Sequence, residues 1–464
     1  MRFLGVGDNC DLAALYLDLA AHGHDVKVVI RNPLCGDILD GLVEKTSVWR
    51  KALAWIAEAG DAGVVIFEDV RHGRVQDRLR AKGFNVVGGS AFGDRLENDR
   101  SFAQETLRGL GLEVAKSWSF VERAAAVDFI QRRPDRYVLK FDGARAGANN
   151  YVGQMPDGRD VAAFLQRLRR PEKAESFLLM ERIDGVEMGV GAYFNGEKFL
   201  RPACLDWEHK RFFPGELGEL TGEMGTVVTY ERSQYFFERT LKLLEPLLRR
   251  NRHHGYVNLN TIINDRGVWP LELTCRFGYP GFSVLSPLQE IPWSELLTAM
   301  CLRSSVEFSY RQGFCVGIVM TVPPFPYEKS QVGAVTGLPV LISDDVDKRG
   351  RSHLHYYELA ESDGQLVTAG AYGWAMVVTG TGADIAIARH NANALASRVL
   401  IPNLRYRRDI GERLLDGEFA RIEAWGMLGP TRGVRRLRPR TNAMVEFSRR
   451  RAFALNSREK QWTL

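Results

Sequence analysis

The chain has 464 residues, more than one hydrophobic core usually holds, so we expect two or three domains. Its hydrophobic fraction of 45% and aromatic fraction of 10% are those of a globular protein, and a net charge of +5 does not by itself indicate nucleic-acid binding. Six cysteines without a C-x-x-C pair disfavour a zinc site and favour a reducing compartment. The first residues lack a signal-peptide pattern and no stretch is apolar enough to span a bilayer, so we expect a cytoplasmic protein without membrane contact.

Strand and helix patterns alternate in residues 1–92. Short apolar runs predict strands at 3–6, 26–30, 63–67 and 85–87, and helices at 12–21 and 75–81. This alternation predicts an open parallel sheet with ligands near the carboxyl ends of its strands. The pair Gly5-Val6-Gly7 lacks the third glycine of a dinucleotide fingerprint, so an NAD site is not expected.

Residues 94–109 predict a single helix that has charged residues in its first half and apolar residues on one side. Its composition alone would indicate a linker helix. Residues 115–190 predict an α+β segment. In it, Lys140 lies inside the strand 138–141, just before the glycine-rich run 143–148. A lysine in this position can hold phosphate oxygens while backbone amides cover them. A strand-end lysine with its ammonium group in water is the alternative.

Another apolar strand, 177–183, leads into the sequence Asp184-Gly185-Val186-Glu187. We interpret it as a hinge whose backbone meets an adenine and whose Glu187 meets a ribose, with an ordinary strand and turn as the alternative. A hairpin with arms 190–194 and 198–203 is predicted next.

Residues 208–211 (EHKR) then gather three potential cations after an acid. The following run 215–225 has too many glycines for a stable helix and predicts a loop. Together they suggest an anionic-substrate site, although charged solvated loops are commoner. Residues 234–249 predict an amphipathic helix.

The stretch 255–281 carries the most informative pattern. Two apolar strands, 256–263 and 268–273, are joined by a turn in which Gly267 supplies a positive φ angle. Such a hairpin can also lie on the surface with its polar residues facing solvent.

Three oxygen-bearing side chains distinguish this hairpin: Asn258 and Asn260 lie on the first strand and Glu272 on the second. Carboxylate and amide oxygens on adjacent strands suit a hard cation such as Mg²⁺. Arg276 follows and places a permanent positive charge beside the carboxylate.

Five motifs occur in order along the chain: Lys140-Phe141-Asp142-Gly143, Glu181-Arg182-Ile183, Glu208-His209-Lys210-Arg211, Thr221-Gly222-Glu223-Met224-Gly225, and the ELTCRFG run from Glu272 to Gly278. This series resembles the ATP-grasp ligases and, more narrowly, the phosphoribosylamine–glycine ligases of purine biosynthesis. Met320–Lys329 and Leu404–Gly411 are similar to two later motifs of that family, so the resemblance covers roughly residues 1–412.

The resemblance implies an α/β and α+β fold with an open parallel amino-terminal sheet, an ATP-grasp core of two α+β subdomains and a small carboxyl-terminal α/β domain. The implied domains are a pre-ATP-grasp domain, 1–92; the ATP-grasp domain, 93–310, with a mobile lid at about 115–190; a carboxyl-terminal domain, 311–412; and a basic extension, 413–464.

The activity implied is that of an ATP-dependent carboxylate–amine ligase. ATP would phosphorylate a carboxylate, and an amine would attack the acyl phosphate to form a C–N bond, with ADP and phosphate released. The implied cofactors are ATP and Mg²⁺ or Mn²⁺, and the implied substrates are an amino acid and an amine. We expect a monomer or a homodimer.

The resemblance also implies a role for particular side chains. Those that would bind ATP are Arg100, Lys140, Glu181, Ile183 and Glu187, with the first two on phosphate oxygens, the next two at the adenine hinge and the last on the ribose. Those that would hold the metal are Glu272, Asn260 and Thr274. Those closest to the chemistry are Arg276, which would orient the carboxylate and its acyl phosphate, and His209 and Lys210, which would line the acceptor side.

Departures from the family pattern concentrate on the amine-binding part. Thr274 replaces a metal-site asparagine, Ala148 replaces a loop lysine, and Tyr279 and Gly281 replace two acids. The amino-terminal loop, Gly5–Asp11, has lost the arginine, glutamate and histidine that the family uses for phosphoribosylamine. The ATP-binding residues are thus mostly kept, whereas the amine pocket is remodelled.

Two alternatives therefore stay open beside the family reaction. One is a paralogous ligase that joins an amino acid to another amine, free or in a modified nucleotide or nucleic acid. The other is a non-catalytic ATP-grasp descendant that binds nucleotide. Basic runs at 430–440 and 448–451 can contact nucleic acid, or form a solvated tail or a helix on the protein's own acidic surface.

Overall fold

A computed structural model describes residues 1–141, 150–168, 176–304, 306–328 and 336–429. The predicted glycine-rich run 143–148, with Ala148, and the basic runs at 430–440 and 448–451 lie outside the described residues. Within the described ranges, no helix combines the length and the apolar composition that crossing a membrane requires.

The amino-terminal region is an open parallel sheet, as predicted. Its strands are β1 (Arg2–Gly7), β2 (Asp25–Ile30), β3 (Glu44–Lys45), β4 (Gly63–Phe67) and β5 (Asn85–Val87), in the order β3-β2-β1-β4-β5. Its helices are α1 (Ala13–Ala21), α2 (Trp49–Glu58) and α3 (Gly73–Ala81). Since Val6 of β1 pairs with Phe67 of β4 in parallel register, the loops after these two strands meet at one edge of the sheet.

The prediction of a single helix over 94–109 is wrong. The structure has α4 (Ala91–Asn98) and α5 (Arg100–Gly109), separated by Asp99 in an extended conformation. The Asp99 carboxylate accepts a hydrogen bond from the backbone N–H of Phe102, so it caps α5 and makes the break stable. The break places Arg100 at the start of a helix and Glu97 at the end of another.

A four-stranded antiparallel sheet follows, in the order β6-β9-β7-β8. Its elements are β6 (Ser117–Phe120), α6 (Arg123–Arg132), β7 (Tyr137–Phe141), β8 (Tyr151–Val152), α7 (Arg159–Arg167) and β9 (Phe177–Glu181). It has its own hydrophobic cluster beneath the two helices. Strand β9 ends at Glu181, two residues before the predicted end, and the next strand belongs to another sheet.

That other sheet has eight antiparallel strands in the order β14-β13-β10-β11-β12-β15-β20-β17. Its first five strands along the chain are β10 (Val186–Asn195), β11 (Cys204–Phe213), β12 (Leu217–Thr229), β13 (His254–Asn264) and β14 (Gly267–Thr274). Helices α8 (Gln234–Arg239), α9 (Glu245–Arg250), α10 (Gly281–Leu285) and α11 (Trp293–Leu302) complete this part.

Three predictions for this part are wrong. The loop predicted at 215–225 lies largely in β12, because pairing with β11 and β15 satisfies its backbone and overrides the glycine content. The arm predicted at 198–203 is mostly a connection, and β11 is the strand that pairs with β10. The helix predicted at 234–249 is interrupted by a 3₁₀ turn, Leu241–Leu244, after Thr240 leaves helical geometry.

The carboxyl-terminal strands continue the same eight-stranded sheet. They are β15 (Phe314–Thr321), β17 (Leu354–Tyr356) and β20 (Trp374–Gly382), and the remaining strands form two short pairs: β16 (Leu341–Ile342) with β21 (Val399–Leu400), and β18 (Leu359–Ser362) with β19 (Gln365–Thr368). The helices are α12 (Lys348–Arg351), α13 (Ile385–Ala396) and α14 (Phe419–Ala424).

The sheet therefore runs without a break across the predicted boundary at residue 311, between β12 and β15. Beyond residue 412, Leu414, Ile422 and Leu428 pack in the large hydrophobic cluster of the core. The fold class predicted from the sequence is confirmed, whereas the division into domains stays a prediction.

Candidate active site

Three carboxylates from three strands surround one ammonium group. Lys210 of β11 has its Nζ 2.7 Å from Glu187 Oε1 on β10, 3.0 Å from Glu208 Oε2 on β11, and 3.1 Å from Glu272 Oε1 on β14. Glu208 and Lys210 share a face of their strand because side chains alternate with a period of two. We call Lys210, Glu187, Glu208 and Glu272 the acid–lysine cluster.

The hairpin pattern brings Asn260 to this cluster. Asn260 is paired directly with Glu272 across the β13–β14 hairpin, and Asn258 is paired with Thr274. The Asn260 Nδ2 donates to Glu187 Oε1 at 2.6 Å and to Glu208 Oε2 at 3.2 Å. Its Oδ1 is buried and has no hydrogen-bond partner in the described part of the chain. Strand β13 is almost wholly buried, so the structure disfavours the alternative of a hairpin on the protein surface.

Charge complementarity fixes the ionisation of the cluster. Burial alone would lower the pKa of Lys210, but Glu187, Glu208 and Glu272 together raise it well above its usual value. Lys210, and then Lys140 and Arg100, hold the pKa of Glu272 far below its ordinary range. Lys210 and Glu272 are therefore both charged at neutral pH.

Two further cations reach Glu272 from other elements. Lys140 of β7 is half-buried, and burial together with nearby Arg100 lowers its pKa to about 8. Arg100, at the start of α5, has its NH2 4.0 Å from Glu272 Oε2, while its NH1 is buried without a hydrogen-bond partner among the described residues. Two cations with incomplete pairing beside a carboxylate favour an anionic ligand such as a phosphate chain.

Arg276 and Glu272 line one cavity of about 220 Å³, together with Arg100 and Thr274. Sequence reasoning missed Glu97, which also lines it. The Arg276 Nε lies 3.1 Å from Glu97 Oε1, and the backbone N–H of Cys275 donates to Glu97 Oε2 at 2.8 Å. The charged start of the predicted linker helix was the only signal for this residue.

Two more acids lie deeper and were also missed as site residues. Asp206 accepts a 2.6 Å hydrogen bond from Asn258 Nδ2, and burial followed by nearby Glu208 raises its pKa to about 8. Burial, with Glu208 and Asp206, raises the pKa of Glu223 well above its usual value. Asp206 lies two residues before Glu208 on the same strand, a spacing that could have indicated it.

The structure does not bring His209 to the acid–lysine cluster. As the residue before Lys210 in a strand, His209 faces the opposite side of the sheet, where its Nε2 accepts from the backbone N–H of Gly411 at 3.1 Å. Burial, then Arg413 and Arg407, lowers its pKa well below the usual value, so it is neutral. His209 therefore makes a structural contact with Gly411, and its predicted place on the acceptor side stays a prediction.

The predicted adenine hinge lies where the four-stranded sheet meets the large one. The backbone N–H of Glu181, at the end of β9, donates to Lys116 O at 2.9 Å. Ile183 is buried in a small cluster with Met180 and Trp269. Glu187, predicted to meet a ribose, contacts Lys210 and Asn260, and its role toward a ribose stays a prediction.

The donor atoms at the β13–β14 hairpin fit a hard divalent cation. Glu272, a carboxylate of depressed pKa, stands opposite the amide oxygen of Asn260, which has no partner among the residues that the structure describes. Oxygen ligands of this kind are those that Mg²⁺ prefers. Thr274 lies two positions beyond Glu272 on β14 and offers a hydroxyl.

Comparison with known proteins identifies one family that matches the part of the chain holding this site. Residues 98–282 match the ATP-grasp (A) domain of phosphoribosylglycinamide synthetase. The chain carries an ATP-grasp domain. Two relatives named phosphoribosylamine–glycine ligase are similar over most of their length. The one from Nostoc sp. is 28% identical over 355 residues, which are 73% of this chain and 81% of the relative, and the one from Mycobacterium bovis is 27% identical over 366 residues, 75% and 82%.

A solved structure shows the same fold over nearly the whole chain. The phosphoribosylamine–glycine ligase from Thermotoga maritima superposes with a TM-score of 0.67 at 20% identity, covering 88% of this chain and 100% of that one. The matched ATP-grasp domain includes every predicted site residue from Arg100 to Arg276. The acid–lysine cluster and the Arg276 cavity thus lie inside the ATP-grasp domain of this chain.

Proposed function

We propose that the protein is an ATP-dependent carboxylate–amine ligase. The observation that carries this proposal is the 220 Å³ cavity that Arg276, Arg100 and Glu272 share, next to the acid–lysine cluster. A carboxylate placed at Arg276 and a phosphate chain placed at Arg100 and Lys140 would face each other across Glu272. The relatives named phosphoribosylamine–glycine ligase support the same reaction class.

Phosphoryl transfer is catalysed mainly by positioning and by neutralising charge. Arg100 and Lys140 would neutralise the phosphate oxygens, and Arg276, fixed by Glu97, would orient the substrate carboxylate. Glu272 and Asn260, with Thr274 beside them, would hold Mg²⁺ or Mn²⁺, which supplies positive charge to the phosphates when bound. Lys210, charged because three carboxylates surround it, would keep Glu187, Glu208 and Glu272 in place.

The carboxylate oxygen would attack the terminal phosphorus, giving ADP and an acyl phosphate. The amine nitrogen would then form the C–N bond while the acyl carbon–oxygen bond breaks and phosphate leaves. We also propose that the hinge residues Glu181 and Ile183 flank the adenine. A cytoplasmic protein that acts on small molecules, as a monomer or homodimer, agrees with this chemistry.

The test is ADP formation from Mg-ATP with each of a panel of amino acids, using hydroxylamine to trap the acyl phosphate. Wild-type protein should form a hydroxamate with at least one amino acid. Glu272→Gln should stay folded and lose at least 100-fold in metal-dependent ADP formation, about 2.7 kcal/mol of transition-state stabilisation. The exposed Glu307→Gln is the matched control and should behave as wild type.

ATP binding without ADP or hydroxamate would refute the ligase and favour the non-catalytic alternative. Full activity in Glu272→Gln would refute the metal assignment alone. The second candidate, a ligase for an amine other than phosphoribosylamine, is favoured by the acids that follow β1 in place of the basic loop expected from the family. The predicted contact of the basic tail with nucleic acid gains no support from the comparisons.

A further inference from the structure

Carboxylates crowd the sheet edge where the loops after β1 and β4 meet. Asp8 and Asp11 follow β1, and Glu68 and Asp69 follow β4. The backbone N–H of Asp8 donates to Asp69 Oδ2 at 2.6 Å, so the two loops are in direct contact. Asp11 and Asp69 both interact electrostatically with Arg276, which places this edge against the cavity described above. We call these four residues the edge acids.

Among the edge acids, Glu68 is the one whose buried carboxylate needs a ligand or a proton to be stabilised. Its side chain is fully buried; Oε1 accepts from Tyr16 Oη at 2.5 Å, whereas Oε2 has no hydrogen-bond partner among residues with described positions. Gly7 leaves room for it, since a Cβ at that position would collide with the carboxylate. Burial, followed by Asp69 and Asp11, raises the pKa of Glu68 well above its ordinary value. A nearby cation would relieve this repulsion.

Aromatic rings form a second wall near these acids. Tyr279 packs edge-on against Tyr357, with centroids 4.4 Å apart, and stacks on Trp374 at 4.8 Å. Burial raises the pKa of Tyr279, and then Tyr357, Glu358, Asp11 and Glu223 contribute, so carboxylates and rings share one neighbourhood.

Three buried polar atoms in this neighbourhood lack partners within the described ranges: Tyr279 Oη, Trp374 Nε1 and Glu223 Oε1. The Glu223 side chain is only 6% exposed. Because buried polar groups are nearly always satisfied, such atoms indicate a ligand that completes them.

The charge balance decides what kind of ligand fits. Within the described ranges, the basic side chains that face the edge acids are Arg31, 3.3 Å from Asp8, His72, which clusters with Asp8 and Asp69, and Arg276, which is already paired with Glu97. A phosphate group here would meet Asp11 and Asp69 beside the buried Glu68, and in the described part of the chain each of these basic groups already faces a carboxylate. Like charges repel strongly where burial limits screening by water. Phosphate is therefore disfavoured, whereas an ammonium group would be stabilised by the carboxylates and by the ring faces.

We infer that the edge acids and the Tyr279–Tyr357–Trp374 wall bind the acceptor substrate, an amine that carries no phosphate and enters as a cation. This inference rests on the proposed ligase function. The bound amine attacks the acyl phosphate held at Arg276 after losing a proton, and that proton passes to an edge carboxylate or to solvent. The C–N bond forms, the bond from the acyl carbon to the phosphate oxygen breaks, and phosphate leaves.

The test uses a matched pair of amines, ethanolamine and O-phosphoethanolamine, with 1,4-diaminobutane as a dication. Binding is measured by calorimetry, and amine-dependent ADP release is measured with the amino acid that gives the most hydroxamate. Ethanolamine and 1,4-diaminobutane should bind and stimulate ADP release, while the phosphorylated amine should do neither. Asp11→Asn should weaken amine binding at least tenfold and leave the KM for ATP unchanged, and Glu68→Gln is the second variant.

Asp18→Asn is the control, because Asp18 lies on α1 and pairs with His22 away from this edge. The inference would be overturned if O-phosphoethanolamine bound more tightly than ethanolamine, or if the protein turned over phosphoribosylamine. It would also be overturned if the protein bound a stoichiometric divalent metal that Asp69→Asn loses, or if Asp11→Asn left the affinity for the amine unchanged. Hydroxamate formation without binding of either cationic amine would also overturn it and leave the ligase intact. Amine binding that Asp11→Asn abolishes, with no ADP from any amino acid, would uphold the cation site and refute the ligase.

Discussion

Lys210 is the counter-ion of the three carboxylates in the acid–lysine cluster, and its replacement by methionine tests the electrostatic account. Methionine keeps the length of the side chain and removes the charge. Glu187, Glu208 and Glu272 would then face one another at the positions where each now lies within 3.1 Å of the Lys210 ammonium. The variant should be less stable and should lose ligase activity.

The expected loss of stability follows from burial. Removing one partner of a buried ion pair costs about 3–5 kcal/mol, because a charge is left without compensation. The side chains of Glu187 and Glu208 are 26% and 22% exposed, but that of Glu272 is 44% exposed, so solvent screens the third pair. We therefore expect the lower end, about 3 kcal/mol at pH 7.5.

The pH dependence gives the sign of the effect. In the wild type, burial raises the pKa of Glu187, but Lys210 and Asn260 together lower it by more, and Lys210 is the main cause of the lowered pKa of Glu272. The contribution of these two carboxylates to stability is therefore present above the unfolded pKa of about 4.3 and is lost as the pH falls through their lower folded pKa values. Without Lys210, burial raises the carboxylate pKa values in the folded state. Protonation then relieves the repulsion, and the deficit of the variant should shrink between pH 7.5 and pH 5.

The assay is urea unfolding of wild type and Lys210→Met at pH 7.5 and pH 5, followed by tryptophan fluorescence and circular dichroism. Lys198→Met is the matched control, since Lys198 is exposed just after β10, and its unfolding midpoint should not move. An unchanged midpoint for Lys210→Met at pH 7.5, or a deficit that grows toward pH 5, would refute the reasoning.

Two further predictions concern substrate binding. Because the pKa of Lys140 is about 8, its ammonium group loses its charge as the pH rises through 8, and kcat/KM for ATP should fall above that pH. In Lys140→Arg the guanidinium stays charged, so kcat/KM should stay constant to a higher pH. The same decline in both proteins would contradict this assignment. Glu97→Gln should raise the KM for the carboxylate substrate about tenfold by loosening Arg276, with the KM for ATP unchanged. Equal increases in both constants would indicate a general structural role instead.

Local pattern was enough to predict the β13–β14 hairpin. Its two apolar runs flank a turn that has a glycine at the required position, so the hairpin itself follows from the sequence. The pairing of Asn260 with Glu272 does not, because it depends on a β-bulge between Asn260 and Thr261 that shifts the register by one residue. The parallel amino-terminal sheet was predictable for a similar reason, because its strands are short apolar runs separated by helices.

Contacts between distant residues were not predictable from pattern. Glu97 reaches Arg276 across 179 positions, and it does so because Asp99 breaks the helix in which a continuous pattern was predicted. Strand β12 forms despite its glycines because two neighbouring strands supply its hydrogen bonds. His209 is adjacent to Lys210 in sequence but is on the other face of the sheet, which becomes evident only once residues 208–211 are known to be a strand.

Isotope transfer from the substrate carboxylate tests the central claim most directly. The protein is incubated with Mg-ATP, an amine and the amino acid that gives the most hydroxamate, labelled with ¹⁸O in its carboxylate, and the products are analysed by mass spectrometry. The ligase account predicts one ¹⁸O atom in inorganic phosphate, because the carboxylate oxygen stays with the phosphorus when the C–N bond forms. Label in AMP, or unlabelled phosphate formed at the same rate without the amino acid, would contradict it.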